Sequence, residues 1–325
     1  DYKMTLGHNL LSIMGNPKVA VQPWKTPKGN WLVYNGEIFN YYDLKQRFKN
    51  IGFAGITGCD TELLAWGLDT FGAKFVHEID SMHGFAYYQV DKNTLTLSRD
   101  HAGIKPVYYA EIKEGLVFGS ELKGMIEKVP GCNKIDIMSV SFMQKTGINA
   151  LRNTFFSGIK KLLPGETIIW DIANKKIKNT HRQYIKCSNT RKFNPEEFRQ
   201  EAKKTVEMCS IGQRKIGVFL SGGLDSSLVC AIAAELSDTP ITTFSVGIVD
   251  GPIDTHYARE VAEHIGSIHH EYLFTEEELL AHLDELIYQL ETWDITTVRA
   301  SMGMSLLCRY IRRETGIKVV LTGEV

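Results

Sequence analysis

The chain has 325 residues, 43% of them hydrophobic and 23% charged, and a formal net charge of −1. That length fits about two domains, and the composition is that of an ordinary globular protein. The near-zero charge gives no electrostatic case for a nucleic-acid or acidic-membrane partner, and no apolar run reaches the roughly 18 residues of a membrane helix. No signal peptide opens the sequence. Six cysteines (Cys59, Cys132, Cys187, Cys209, Cys230 and Cys308) form no C-x-x-C pair, so reduced, mostly buried thiols in a cytoplasmic protein are expected. The chain opens at Asp1 and stops just after an apolar strand pattern, Ile317 to Leu321, so both ends read as cut.

In chain order, Trp31 to Tyr34 predicts a strand running into a turn at Asn35-Gly36-Glu37. Tyr41 to Asn50 predicts a short helix with Asn40 at its N-cap, ended near Gly52. Asp60 precedes a second helix, Thr61 to Phe71, closed by Gly72. Gly84 to Val90 and Thr94 to Ser98 read as paired strands across Asp91-Lys92-Asn93, followed by strands near Tyr109 and over Leu116 to Phe118. Pro164-Gly165-Glu166 leads into a strand over Thr167 to Asp171 and a polar hairpin through Asn174-Lys175-Lys176. Short strands with few helices make an α+β layered pattern.

Five blocks in this half carry more than secondary structure: GHNLLSI (Gly7 to Ile13), NGEIFNYYDL (Asn35 to Leu44), GCDTE (Gly58 to Glu62), RDHAGIKPVYY (Arg99 to Tyr109) and FGSELKGM (Phe118 to Met125). In order and spacing they resemble the glutaminase domain of class II glutamine amidotransferases, which implies an N-terminal-nucleophile fold. The resemblance implies that Asn35 and Gly36 form an oxyanion hole and that Gly36, Glu37 and Asp60 hold the glutamine α-amino end. Preorganised donors suit a tetrahedral oxyanion, and carboxylates suit an ammonium. Taken singly, Asn35-Gly36 is an ordinary turn and Asp60 an ordinary helix cap.

Two departures from that family bear on activity. Its nucleophile is a cysteine at the mature N-terminus, acting with its own α-amine; residue 1 here is Asp, and Cys59, Cys132 and Cys187 do not stand at a chain start. Where the family has an arginine for the glutamine carboxylate, this chain has Leu10, which cannot form a bidentate fork. The chain is therefore expected not to hydrolyse glutamine.

The run Lys186 to Asn194 is polar and unpatterned, which places a linker at 186–194 between domains at 1–185 and 195–325. Pro195 to Met208 predicts an amphipathic helix with Phe198, Ala202 and Val206 on one face. Ile216 to Leu220 then reads as a buried strand and Leu228 to Leu236 as a helix. Between them, Ser221-Gly222-Gly223-Leu224-Asp225-Ser226-Ser227 is a turn of small and hydroxylic residues. Its two glycines allow close backbone approach, and its serines open a helix where free amides favour an anion. Asp225 would repel a phosphate unless Mg²⁺ sat between them. No Walker A or G-x-G-x-x-G pattern is present.

A second strand, Ile241 to Val246, ends at Gly247. A helix over His256 to Ile265 and a strand from His269 to Phe274 follow, the alternation of a parallel sheet wrapped by helices. Ligands of such sheets sit beyond the carboxyl ends of the strands. His269-His270 is read as a pair of structural histidines, since neighbouring residues on a strand diverge and no third zinc ligand is spaced nearby. Thr275 and Glu278 form a capping-box pattern before a leucine stripe from Leu279 to Leu290, read as core. ETWDITTVRAS (Glu291 to Ser301) then precedes a helix over Met302 to Arg313.

SGGLDSS resembles the pyrophosphate loop of ATP pyrophosphatases, and ETWDITTVRAS resembles the asparagine synthetases among them. The implied architecture is an α/β parallel-sheet PP-loop domain, adenine nucleotide alpha hydrolase-like, behind the glutaminase layers. The implied reaction uses ATP and Mg²⁺ to adenylate the β-carboxylate of aspartate, and ammonia, free or released from glutamine, displaces AMP to give asparagine. Leu220, Ser221, Gly222, Gly223, Asp225, Ser226, Val246, Gly247, Thr322 and Gly323 match the ATP and pyrophosphate positions, with Asp225 toward the metal. Thr296, Thr297 and Arg299 match contacts to aspartate or phosphate, and Arg299 and Glu324 lie near the reacting centre. The resemblance implies a further metal-side Asp and a catalytic Lys in a segment following Val325. Read alone, Thr297 and Arg299 are a helix cap and a solvated cation. The partners implied are small molecules, with neither nucleic acid nor membrane, and a homodimer is left open. Two rival readings are a folded, catalytically inactive fragment that binds nucleotide at most and a ligase amidating a different acid.

Overall fold

The computed structural model describes residues 4–11, 13–16, 18–185, 192–212, 214–249, 251 and 254–323, the side chain of residue 254 excepted. The chain divides into two compact units, Asp1–Asn189 and Thr190–Val325.

The first unit contains, in order, β1 (Trp24–Lys25), β2 (Trp31–Ile38), α1 (Tyr41–Lys49), α2 (Asp60–Phe71), a 3₁₀ helix (Gly72–His77), β3 (Ser81–Gln89), β4 (Thr94–Arg99), β5 (Tyr108–Ile112), β6 (Gly115–Gly119), α3 (Lys123–Ile126), α4 (Ile137–Thr146), β7 (Lys160–Lys161), β8 (Glu166–Asp171) and β9 (Lys176–Arg182). Strands β1-β2-β3-β4-β8-β9 form one antiparallel sheet, and β6-β5-β7 form a smaller one. The period of two sorts the larger sheet's side chains between its faces. Val33, Ala86, Leu97 and Ile168 lie side by side in the ladder and pack with Val107, Tyr109 and Leu162 of the smaller sheet and its flanks. Leu32, Tyr34, Phe85 and Tyr87 alternate with these and are also buried, on the face where α2 packs against β2.

The expected turn at Asn35-Gly36-Glu37 is absent. β2 continues through it, with Asn35, Gly36 and Glu37 opposite Gly84, His83 and Met82. Glycine at 36 serves close approach instead: a Cβ there would lie 2.2 Å from the Met82 carbonyl oxygen. Asn40 does stand at the α1 N-cap position but does not cap it. Its side chain donates to Glu78 O and accepts from Asp80 N, fastening α1 to the chain before β3. Helix α4 has no counterpart among the elements read from sequence, although Asp136 caps it through the Ser139 amide at 2.8 Å and Gly147 ends it at φ 76°.

The second unit contains α5 (Pro195–Cys209), β10 (Ile216–Phe219), α6 (Leu224–Glu235), β11 (Thr242–Ile248), α7 (Asp254–His264), β12 (Ile268–Phe274), α8 (Glu276–Leu290), α9 (Ile295–Glu314) and β13 (Val319–Leu321). The four strands are parallel in the order β12-β11-β10-β13. Val206, Cys230, Ala233, Ala258 and Ala262 cover one face of β10 from α5, α6 and α7. Phe244, Leu307, Ile311 and Ile317 fill the other face beneath α9.

Helix α6 starts four residues earlier than its apolar pattern suggests, because the turn residues from Leu224 onward already wind. On α5 only Val206 is buried; Phe198 is exposed and tilts against Phe193. The α8 stripe is not a full core face either: Leu286 and His282 are buried, whereas Leu280 and Ile287 are exposed. Thr275 accepts from the Glu278 amide at 3.1 Å, but the Glu278 carboxylate takes the Tyr272 hydroxyl, so half of the capping box forms. His269 and His270 diverge as expected. His269 lies between Thr243 and Ser245, and His270 stacks on Phe244. Among the described residues no helix is long and apolar enough to cross a membrane and no group of three or more His, Cys, Asp or Glu could hold a metal. Cys59, Cys132 and Cys230 are buried free thiols, Cys209 is half-buried and Cys308 is exposed; Cys187 lies outside the described residues.

Candidate functional site

In the first unit the sequence-selected residues converge on a cavity of about 130 Å³ lined by Asn35, Gly36, Glu37, Cys59, Asp60 and Leu10, among others. β2 delivers the first three and the start of α2 delivers Asp60. Asp60 is buried, with Oδ2 accepting from the Tyr34 hydroxyl at 3.0 Å and the Ile38 amide at 3.2 Å. Its carboxyl thus faces the interior, and the residue before α2, Cys59, makes no side-chain cap. Glu37 is 6% exposed and its Oε1 has no hydrogen-bond partner among the described residues. Burial, then the neighbouring Asp60 charge, push Glu37 up to about 8, against a smaller pull from Lys105. Burial also raises Asp60. Two adjacent buried carboxyls with a free oxygen suit a cationic amine, which repays the cost of ionising them.

Asn35 is exposed and lines this cavity, where its side-chain amide can supply a donor. Leu10 lines the same cavity, so no guanidinium occupies that place. Cys59 is the one thiol in the lining among the described residues. Burial first, then Asp60, raise it to about 12, which keeps it protonated and unreactive. A larger cavity of about 510 Å³ shares His8, Tyr34 and Asn35 and runs between the two sheets along β6.

Sequence reasoning missed Gln22 and Lys105. The Gln22 amide takes the place of a neighbouring strand, with Oε1 accepting from Tyr34 N at 2.6 Å and Nε2 donating to Tyr34 O at 3.0 Å. It thereby holds β2 straight just before Asn35. Nothing short of the pairing register signals this, since β1 pairs only with Trp31 and Leu32.

In the second unit, β10 leads through buried Leu220, whose amide bonds Phe244 O at 2.8 Å, into the loop Ser221 to Ser227. Gly222 has φ 81°, a left-handed conformation that glycine adopts readily. The Ser226 hydroxyl braces the turn against Ser221 N at 3.2 Å, Ser221 Oγ at 2.9 Å and Gly223 O at 3.2 Å. The first intrahelical bond of α6 runs from Ser227 N to Gly223 O, so the amides of Leu224, Asp225 and Ser226 have no partner within the helix. Asp225 is exposed in that first turn. Gly323 follows β13 and packs so tightly on this turn that a Cβ on it would meet Ser226 N at 2.7 Å. Val246 and Gly247 lie near the end of adjacent β11, with Gly247 against Thr255. Thr322 emerges from β13 beside the same edge.

Thr296, Thr297 and Arg299 occupy the first turns of α9, and the cap is Asp294 rather than Thr297. Asp294 accepts from Thr296 N at 3.4 Å, from Thr297 N at 2.8 Å and from the Thr297 hydroxyl. These bonds, the Thr297 side chain first, hold Asp294 below the usual carboxylate range. Gly303 packs near Phe274 and Val246 at the strand ends, while Leu307 and Ile311 reach Phe244 deeper in the sheet. Helix α9 therefore runs antiparallel to the strands, and residues 296–299 project about 6–10 Å beyond the level of Gly303 at 1.5 Å per residue. They stand at the same carboxyl-terminal edge as loop 221–227. Arg299 is exposed there. Glu324 lies outside the described residues.

A family model described as a glutamine amidotransferase domain matches residues 1–185, and one described as asparagine synthase matches residues 197–325. Asparagine synthetase [glutamine-hydrolyzing] of Mus musculus is 34% identical over 98% of this chain and 57% of that protein. Asparagine synthetase B [glutamine-hydrolyzing] of Escherichia coli K12 is 30% identical over 98% of this chain and 55% of its own length. The chain thus spans a little over half of these curated relatives. Among solved structures, a glutamine phosphoribosylpyrophosphate amidotransferase from B. subtilis covers 78% of this chain and 48% of its own at 18% identity and a TM-score of 0.35. On these matches the chain belongs to the glutamine amidotransferase domain family, and its residues 197–325 match the family model described as asparagine synthase.

Proposed function

We propose that this chain is the aspartate-activating portion of an ATP-dependent asparagine synthetase, with residues 1–185 an N-terminal-nucleophile-type glutaminase layer and residues 195–325 a PP-loop domain joined by a linker at 186–194. The observation that carries the reading is the turn at 221–227. Free amides at the α6 N-terminus, two serine hydroxyls and a left-handed glycine are gathered in one short turn, a set of donors that suits a pyrophosphate. Leu220, Val246, Gly247, Thr322 and Gly323 would flank the nucleotide, and Thr296, Thr297 and Arg299 would meet the carboxylates of aspartate or the phosphates. Glu324 would stand near the acyl centre.

A magnesium ion fits this site in the way it fits others that keep most of their waters. Asp225 is a single exposed carboxylate beside the phosphate turn, and Mg²⁺ takes one or two carboxylates together with phosphate oxygens. When bound, the ion would offset the charge of the leaving pyrophosphate. The chain's own groups do the rest: amides at 224–226 orient the phosphates, and Arg299 draws the carboxylate nucleophile toward them. Substrates are small molecules in a cytoplasmic setting, with ammonia rather than glutamine as the nitrogen donor of this chain.

The experiment is AMP release by the purified chain with Mg-ATP and aspartate, comparing ammonium with glutamine. Release with ammonium alone supports the reading. Release with neither donor favours the inactive, nucleotide-binding fragment, and a different preferred acid favours another amidating ligase.

A further inference from the structure

The flank of loop 221–227 that faces α7 carries a side chain that no motif singles out. Tyr257 lies in the first turn of α7, and a Cβ built on Gly222 would stand 2.6 Å from Tyr257 Cβ. Gly323 abuts Ser226 on the other flank. The strand order explains the arrangement: β11, which leads into α7, borders β10 on one side, and β13 borders it on the other. A ligand in the turn is therefore bracketed by Gly323 and Tyr257.

The direction of the ring follows from helix geometry. Helical Cα–Cβ bonds tilt toward the N-terminus, and α7 begins at the carboxyl edge of the sheet, where Thr255 packs against Gly247. The Tyr257 ring accordingly leans past the strand ends. It is 49% exposed, with the His256 ring 5.7 Å away. A half-exposed aromatic face stands on the same flank as Gly247, beside the free amides of the α6 N-terminus.

We propose that Tyr257 is a further nucleotide-binding residue, its ring stacking on the nucleoside of a nucleoside triphosphate whose phosphates occupy loop 221–227. This rests on the phosphate-loop reading above. Stacking surface is sequence-tolerant and acts on the base, not on the phosphates, so the two halves of the ligand report separately.

Titration calorimetry of the 325-residue chain with Mg-ATP and, separately, Mg-pyrophosphate tests this on wild type, Y257A and Y257F. Y257A is expected to weaken ATP about fivefold to a hundredfold while pyrophosphate changes by less than about twofold, and Y257F is expected to hold both within about threefold. Unchanged ATP affinity in Y257A overturns the inference. So does an equal loss of both ligands, which marks Tyr257 as a prop under Gly222 alone. A wild-type chain that binds neither ligand overturns the phosphate-loop reading itself.

Discussion

Gly222, in the turn at 221–227, and Tyr257 of α7 are so close that the glycine has no room for a side chain: its φ is 81°, and an added Cβ would lie 2.6 Å from Tyr257 Cβ and 2.7 Å from Ala258 N. The backbone of α7 cannot yield cheaply. G222A is therefore expected to destabilise the chain by about 1–3 kcal/mol, from left-handed strain and the clash together, and to abolish Mg-pyrophosphate binding. Urea midpoints and calorimetry read the two effects, and a G222A chain with wild-type affinity would show that the turn's shape is irrelevant to ligand.

His83 is expected to make the first unit acid-sensitive. It is buried beside Gly36, with Nδ1 2.8 Å from Ser81 Oγ and Nε2 3.2 Å from Ser98 Oγ, and burial pushes it down to about 4. A folded-state value below the unfolded value of about 6.5 means that the unfolded chain takes up the proton first. Stability from this group is full above pH 6.5 and is lost as pH falls toward 4, by about 3 kcal/mol. H83Q should flatten that part of the stability profile between pH 7 and 4. An unchanged slope in the variant contradicts the assignment.

Glu37 has the opposite sign. Its folded-state value lies near 8, above the ordinary carboxyl range, with burial as the main cause. The contribution is complete below pH 4.5 and declines as pH rises toward 8, because the unfolded chain releases that proton more readily. E37Q, which keeps the shape of the neutral acid, should gain on wild type progressively between pH 5 and 8. A stability difference independent of pH means that Glu37 is already ionised in the folded chain.

How much of this is legible in the sequence varies by residue. The strand, turn and helix start at 216–227 are readable because a buried strand, paired glycines and hydroxyls lie in one short stretch. Asn35-Gly36 reads as a turn because that dipeptide usually is one; only the approach of the Met82 carbonyl, 46 residues away in sequence, explains a glycine in mid-strand. The periods of Leu280 and Phe198 put both on core faces, but a period gives a shared face and not what covers it. Gln22 and Tyr257 act through tertiary neighbours and leave no local pattern.

Gln22 also yields a prediction. It is 8% exposed and satisfies both backbone groups of Tyr34. Replacement by leucine leaves a buried donor and acceptor unpaired, at about 1–3 kcal/mol each before relaxation. Q22L should therefore lower the urea midpoint of the first unit without changing Mg-ATP affinity in the second. Loss of nucleotide binding in Q22L would contradict separate sites.

Glutamine should not be hydrolysed by this chain. Leu10 lines the cavity where a carboxylate clamp would stand, and Cys59, raised to about 12, remains a thiol at neutral pH. Glutamate assays should show no steady release from glutamine above the rate in buffer. Sustained turnover by the purified 325-residue chain contradicts this.

Diffraction from crystals of the chain grown with magnesium and ATP addresses the pyrophosphate grip most directly. The β- and γ-phosphates are expected within about 3 Å of the amides of residues 224–226 and the Ser221 and Ser226 hydroxyls, with Mg²⁺ against Asp225. A nucleotide bound elsewhere, with the turn at 221–227 holding nothing, would contradict the account.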